Sequence, residues 1–127
     1  MSRQNTEVKV DAVTDLCIQI QPHRAPDLDV AAVRNRCEAL ARKETVIERF
    51  AVVEGPDEVA YINLMFATQT IGALWDLLQR HLYGDQAIGR PLSKSSMAMC
   101  EGSHGWDDYL QLHHFDPKVK LDHLTDD

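Results

Sequence analysis

The spacing of apolar residues changes several times along this chain, and each change predicts a new secondary-structure element. Between Val8 and Ile20 the apolar residues occupy even-numbered positions, which is the period of a strand with one buried face. From Val30 to Leu40 they recur every three or four residues, as on one side of a helix. The pattern is then extended on both sides of a turn at 55–57, helical again, and finally extended. This order is typical of one α+β domain.

The same pattern predicts where the elements lie. Strands are predicted at Val8–Gln21, Thr45–Glu54, Val59–Ala67, Ser95–Glu101 and Trp106–Phe115, and helices at 30–43 and 71–82. Asp27 or Asp29 suits the N-cap of the first helix, since a carboxylate can accept from the free backbone N–H groups there. The segment Gln86–Lys94 has no clear period and contains glycine and proline, so we predict a loop.

The resulting order, βαββα followed by a C-terminal β-hairpin, is close to a ferredoxin-like split βαβ plan. The first strand has one apolar and one polar face, which predicts two helices on one face of a mainly antiparallel sheet and an open second face. We expect a single domain over 1–127 with flexible ends at 1–7 and 118–127. The expected core residues are Ile18, Leu64, Phe66, Leu74, Leu78 and Leu110.

Charge and cysteine content narrow the classes of partner. Twenty acidic against thirteen basic residues give a formal charge of −7, which disfavours binding to nucleic acid or to an anionic membrane surface. No apolar run approaches the roughly 20 residues that span a bilayer, and no apolar secretory signal opens the chain. Three widely spaced cysteines do not suggest a disulfide framework. These features favour a cytoplasmic protein.

Cys100, His104, His113 and His114 are the residue types that bind zinc. With a hairpin centred on 103–104, however, Cys100 and His113 are predicted about six residues apart along the ladder, or about 20 Å. Adjacent His113 and His114 would also point to opposite faces. We therefore predict no metal site and no cofactor.

Catalytic and phosphate-binding motifs are likewise absent from the sequence. Cys17 falls on the polar side of the first strand and is expected to be accessible, but no residue pattern marks it as a nucleophile. Neither a Gly-x-Ser-x-Gly elbow nor a glycine-rich phosphate loop is present. The sequence leans against an enzyme without excluding one.

The open sheet face carries the remaining candidate site. Alternation turns amide and aromatic side chains away from the core on three strands, and such surfaces commonly bind proteins or small ligands. The predicted binding residues are Gln19, Tyr61, Asn63, Tyr109 and His113.

Three hypotheses follow from these observations. The first is a non-enzymatic interaction or regulatory domain that uses the open face either to self-associate as a homodimer or to bind a protein partner. A variant is an acidic, immunity-type protein that neutralises a basic partner. The second is a small-ligand-binding protein or small enzyme with a pocket on the open face or under the loop Gly84–Lys94, and His113 is its candidate acid or base. The third is a metal-dependent protein centred on Cys100 and His104.

Overall fold

The computed structural model describes residues 13–55 and 60–124, and within them it has an α+β architecture. The predicted strand positions 8–12 lie outside the described residues. In chain order the elements are β1 (Thr14–Ile20), a short 3₁₀ turn (Pro22–Arg24), α1 (Val30–Lys43), β2 (Arg49–Glu54), β3 (Ile62–Thr68), α2 (Ile71–Leu78) with a π-helical turn (Gln79–Tyr83), α3 (Gly89–Ser95), β4 (Ser96–Gly102) and β5 (Gly105–His113).

The strands form an open sheet of five in the order β2-β3-β1-β4-β5, and every neighbouring pair is antiparallel. Strand β1 lies in the middle and pairs along its length with β3 and β4. Its register places Ile18 beside Leu64 on one neighbour and beside Ala98 on the other. The first described strand is therefore the central strand of the sheet.

One face of the sheet holds the hydrophobic core. The even-numbered side chains of β1, which are Leu16, Ile18 and Ile20, are fully buried. Apolar residues from all three helices join them in one cluster, so the described helices cover a single face of the sheet. Five of the six expected core residues are fully or almost fully buried, and Leu110 packs against the cluster at its edge.

Helix α1 begins where an acidic cap was predicted. The Asp29 carboxylate accepts a hydrogen bond from the Ala32 backbone N–H at 3.0 Å, and Arg42 and Lys43 lie in the last turn. The negative charge at the N-terminus and the positive charges at the C-terminus both interact favourably with the helix dipole. The buried side of α1 is formed by Val33, Cys37 and Leu40.

Helix α2 passes directly into a π-helical turn at Gln79–Tyr83. The turn is fixed to α1 by Arg36, which donates to the His81 carbonyl oxygen at 2.7 Å and pairs with Asp85 at 3.2 Å. Leu82 within the turn is fully buried. Although π-turns often occur at functional sites, the contacts of this segment with α1 and the core are packing contacts.

The prediction of a loop at Gln86–Lys94 is wrong, because Gly89–Ser95 forms a third helix. In the turn before this helix, the Asp85 carboxylate accepts hydrogen bonds from the Ala87 and Ile88 backbone N–H groups, both at 2.9 Å. Ile88 and Leu92, four residues apart, are then buried on the same side. The proline in this segment lies in the first helical turn, where its missing N–H has no partner to lose.

The expectation of flexible ends at 1–7 and 118–127 can be compared with the structure only over 118–124, because 1–7 and 125–127 are outside the described residues. Within 118–124, Asp122 contacts the outer edge of β5. Its backbone N–H donates to the Gln111 carbonyl oxygen, and its carboxylate accepts from the Gln111 N–H, both at 2.8 Å.

Gly89→Ala is expected to destabilise the protein by about 1–3 kcal/mol, because the added methyl group would overlap the Tyr83 carbonyl oxygen, which belongs to rigid backbone. Urea unfolding followed by circular dichroism measures this change. Gly72→Ala is the matched control: a methyl group there meets nothing within 4 Å, and alanine favours a helix by up to about 1 kcal/mol. Equal stability of the Gly89→Ala variant and the unmodified protein would contradict the packing described here.

Candidate functional site

The open face of the sheet carries the odd-numbered side chains of β1 to β4, opposite the core. Cross-strand register arranges them in three rows that run across the sheet. The charged row is Arg49, Ala67, Asp15 and Glu101; the sulfur row is Ala51, Met65, Cys17, Met99 and Gln111; the amide row is Val53, Asn63, Gln19 and Met97.

Within the three rows, carboxylates and guanidinium groups occur only in the charged row. Arg49, Asp15 and Glu101 all belong to the charged row, and the Glu101 carboxylate accepts from the Asp15 backbone N–H at 2.8 Å. The sulfur row and the amide row contain no ionisable side chain other than the Cys17 thiol. In a chain with 26% charged residues, two adjacent rows without acid or base are a marked local depletion. Depletion of charge is typical of the centre of a protein interface.

Two of the predicted binding residues lie side by side in the amide row. The Gln19 side-chain amide donates to the Asn63 carbonyl oxygen at 3.1 Å and accepts from the Gln21 amide at 3.0 Å. Tyr61 lies two residues before Asn63, where its ring covers Gly55 on the neighbouring strand. Gln19, Asn63 and Tyr61 therefore form one continuous half-buried polar surface.

Tyr109 lies away from that group. It is on the edge strand β5 and is 48% exposed. It lies two residues from Gln111, on the side nearer the end of the sheet that carries Glu101. Two strand spacings, or about 10 Å, separate β5 from β1 before any displacement along the strands is counted. The structure thus brings three predicted residues together and places Tyr109 at the opposite corner.

His113 is not on the open face, so its predicted placement is wrong. The register of β4 and β5 shifts between Ala98 and Met99, which leaves one extra residue in β5 before His113. This bulge turns the imidazole to the helix side, where Nε2 donates to the Ser93 carbonyl oxygen at 2.9 Å. Its ring packs against Tyr83 with centroids 4.6 Å apart.

The expectation that Cys17 is accessible is also wrong, since only 7% of the residue is exposed. Its neighbours across the sheet are Met65 on β3 and Met99 on β4, which flank it on the same face. Burial raises the pKa of the Cys17 thiol to about 11, so the thiol is protonated at neutral pH.

Cys100 and His113 are closer than the simple hairpin predicted. Cys100 pairs with Leu110 and Ala98 pairs with His113, so the two residues are offset by two positions, about 7 Å along the ladder. Even so, no group of three or more His, Cys, Asp or Glu side chains within 13–55 and 60–124 is placed to hold a metal ion. Cys100 is fully buried, and burial raises the pKa of its thiol to about 11.

The hairpin tip holds a serine, a histidine and an aspartate that do not form a catalytic arrangement. Asp108 accepts from the Ser103 hydroxyl at 3.0 Å and from the His104 backbone N–H at 2.8 Å, and it contacts the His104 ring at 3.2 Å. These bonds, led by that from the backbone N–H, lower the pKa of the Asp108 carboxyl. Serine and histidine both bind the aspartate rather than each other, and His104 is 80% exposed. We read the cluster as a turn-stabilising network.

Several depressions, with volumes between about 330 and 870 Å³, are present in the described surface. The largest, about 870 Å³, lies on the helix side between the start of α2 and residues 121–124; its lining includes Thr70, Trp75, Leu112 and His123. A second, about 520 Å³, lies between the π-turn and α3. A third, about 360 Å³, is on the open face at the boundary of the charged row and the sulfur row.

Sequence analysis named the amides and aromatics of the open face but missed its methionines. The pattern that reveals them is the same alternation that placed Gln19, because Met65, Met97 and Met99 are odd-numbered residues of alternating strands. The sequence does not identify the strands next to β1, so it does not show that Met65 and Met99 lie beside Cys17.

Comparisons with known proteins give no match for this chain among protein-family models, curated proteins or solved structures. Among the residues that the structure describes, no helix combines the length and the apolar character required to cross a membrane. The site must therefore be interpreted from its own geometry.

Protonation of His113 is expected to cost stability in acid. Burial lowers its pKa below the usual 6.5, so the unfolded chain binds a proton at a higher pH than the folded chain does. The stability from neutral His113 is complete above pH 6.5 and is lost as pH falls through the lower folded-state pKa. His113→Gln should therefore lose less unfolding free energy between pH 7.5 and pH 5.5 than the unmodified protein, measured by urea denaturation.

The exposed His23 provides the control for this experiment. His23→Gln should retain the pH dependence of the unmodified protein. Identical profiles for the His113 variant and the unmodified protein would show that the imidazole is not desolvated as described.

Proposed function

We propose that this chain is a non-enzymatic interaction domain that self-associates through the open sheet face. The observation that carries the proposal is the pair of uncharged rows, the sulfur row and the amide row, on the face that no described helix covers. Val53 is 50% exposed on one edge strand and Tyr109 is 48% exposed on the other. Contiguous surfaces of this kind on soluble domains commonly mark interaction sites.

The size of the face supports a second copy as the occupant. Five strands of about seven residues span roughly 24 Å by 23 Å, or about 550 Å² in projection, at ordinary strand spacing and rise. The accessible area of a side-chain-covered surface exceeds its projection, and a stable dimer buries about 800 Å² on each partner. Pairing of two such faces is therefore of the size that stable interfaces need.

The strand order supports a symmetric arrangement. Because β1 is the middle strand, a two-fold axis along β1 places β2 of each protomer over β5 of the other. The two edge strands, which carry the exposed Val53 and Tyr109, then both lie within the interface. The depression of about 360 Å³ beside the sulfur row offers space for a partner side chain.

We also propose two finer points. The strand order and connections fit the ferredoxin-like split βαβ plan with β5 added at one edge. The three free, buried thiols suit a reducing compartment such as the cytoplasm.

Val53→Asp is expected to shift the protein from dimer to monomer. The side chain is half exposed in a single chain, so a carboxylate is tolerated there, but in the dimer it is buried without a partner. The dimer Kd should rise at least about tenfold. Sedimentation equilibrium over a concentration series measures the change.

Ala39→Asp on the exposed side of α1 is the matched control and should leave the Kd unchanged. A chain that sediments as a monomer at about 100 μM, or a Val53 variant that dimerises as before, would overturn the proposed self-association.

Small-ligand binding is a second candidate, favoured by the cavity of about 870 Å³ beside α2. Its size falls within the range of ligand pockets, and Trp75, Leu112 and Leu124 supply apolar lining. This cavity is on the helix side, not on the open face or beneath the segment 84–94.

Native mass spectrometry of the purified protein tests this candidate. A bound ligand adds mass, and Ala73→Trp should abolish the addition by filling the cavity, whereas Ala39→Trp should not. A protein that carries no added mass from a cell extract counts against ligand binding here.

A further inference from the structure

The sulfur row places three sulfur-containing residues side by side on three adjacent strands. Cys17 is on the central strand, Met65 is directly beside it on β3, and Met99 is directly beside it on β4. All three side chains point to the open face. Directly opposed residues in antiparallel strands have Cβ atoms about 4.5–5.5 Å apart. Both methionines therefore start within reach of the cysteine.

We propose that Met65, Cys17 and Met99 bind one Cu(I) ion. Thioether and thiolate sulfur are soft donors, and this combination selects monovalent copper over the hard ions that carboxylates bind. The sulfur row offers no carboxylate or imidazole. Methionine has three rotatable bonds, so each thioether can swing toward a common point above Cys17 while the strands stay fixed.

The charge balance of the site favours a monovalent ion. One thiolate and two neutral thioethers neutralise Cu(I) completely, whereas a divalent ion would keep a net charge of about +1 in a site with little water. Cys17 is almost fully buried, so this difference matters. The usual zinc set of three or four charged or imidazole ligands is not available in this row.

Binding replaces a proton on sulfur. A cysteine thiol is ordinarily protonated at neutral pH. Cu(I) displaces that proton: the sulfur–hydrogen bond breaks, a sulfur–copper bond forms, and one H⁺ is released to solvent. The thioethers of Met65 and Met99 donate lone pairs, and no electron is transferred.

The proposal does not depend on self-association, because all three ligands come from one chain. Val53 belongs to the amide row at the sheet edge and is not a ligand, so the Val53→Asp variant should weaken dimerisation and still bind one equivalent of Cu(I). Failure of one proposal is thus distinguishable from failure of the other.

Competition between the protein and the Cu(I) chelator bicinchoninate, without oxygen and with a reductant present, measures the affinity. The unmodified protein should remove one equivalent of Cu(I) from the chelator and release one proton. Cys17→Ala should weaken binding at least about 100-fold, and Met65→Leu and Met99→Leu about tenfold each. X-ray absorption of the copper complex should show only sulfur neighbours.

Met97→Leu and Cys100→Ala are the matched controls, because Met97 is in the amide row and Cys100 faces the core. Both should bind copper as the unmodified protein does. Methionine to leucine conserves volume, so the Met65/Met99 double variant keeps the test available if the Cys17 variant does not fold, as judged by circular dichroism. The proposal is overturned if the unmodified protein cannot compete with the chelator, if folded Cys17→Ala binds equally well, or if Met97→Leu weakens binding as much as Met65→Leu.

Discussion

Strand β1 forms backbone ladders with β3 on one side and with β4 on the other, so two neighbours fix the register of most of its residues. Its even-numbered side chains are fully buried under the helices, and its odd-numbered side chains lie at the centre of the opposite face. A shift of one residue would exchange these two sets and bury Gln19 in the core. Both the core and the candidate surface depend on this single register.

Much of this arrangement could be predicted because it is local. The period of two in β1, the period of three to four in α1 and α2, and the Asp29 cap each need only a few neighbouring residues. Helix α3 was missed because glycine and proline dominated the interpretation of Gln86–Lys94, although Ile88 and Leu92 have helical spacing. Short helices supply too few turns for their period to outweigh such residues.

The candidate surface was predictable only in part, because it depends on pairings between distant strands. Gln19 and Asn63 were placed correctly by alternation, but their direct contact required knowledge that β1 and β3 are neighbours. His113 was misplaced because a bulge reverses the alternation that the prediction used. The location of a bulge follows from how the partner strand fits, which is not written in the residues around it.

The open face combines two kinds of surface that have different uses. Its charged end keeps part of the sheet hydrated, while the sulfur row and the amide row present polarisable and hydrogen-bonding groups without net charge. Methionine-rich surfaces adapt to a partner because their side chains are flexible, and the same flexibility suits coordination of a soft ion. Self-association and copper binding would therefore draw on the same chemical character at neighbouring positions.

The central place of β1 also has a consequence for how the chain reaches its native state. Asp15 on β1 and Glu101 on β4 are in contact although 86 positions separate them along the chain. During synthesis, the apolar face of β1 cannot pair with its second neighbouring strand, β4, until most of the chain has been made. Pairing between such distant segments slows folding and prolongs the exposure of apolar surface.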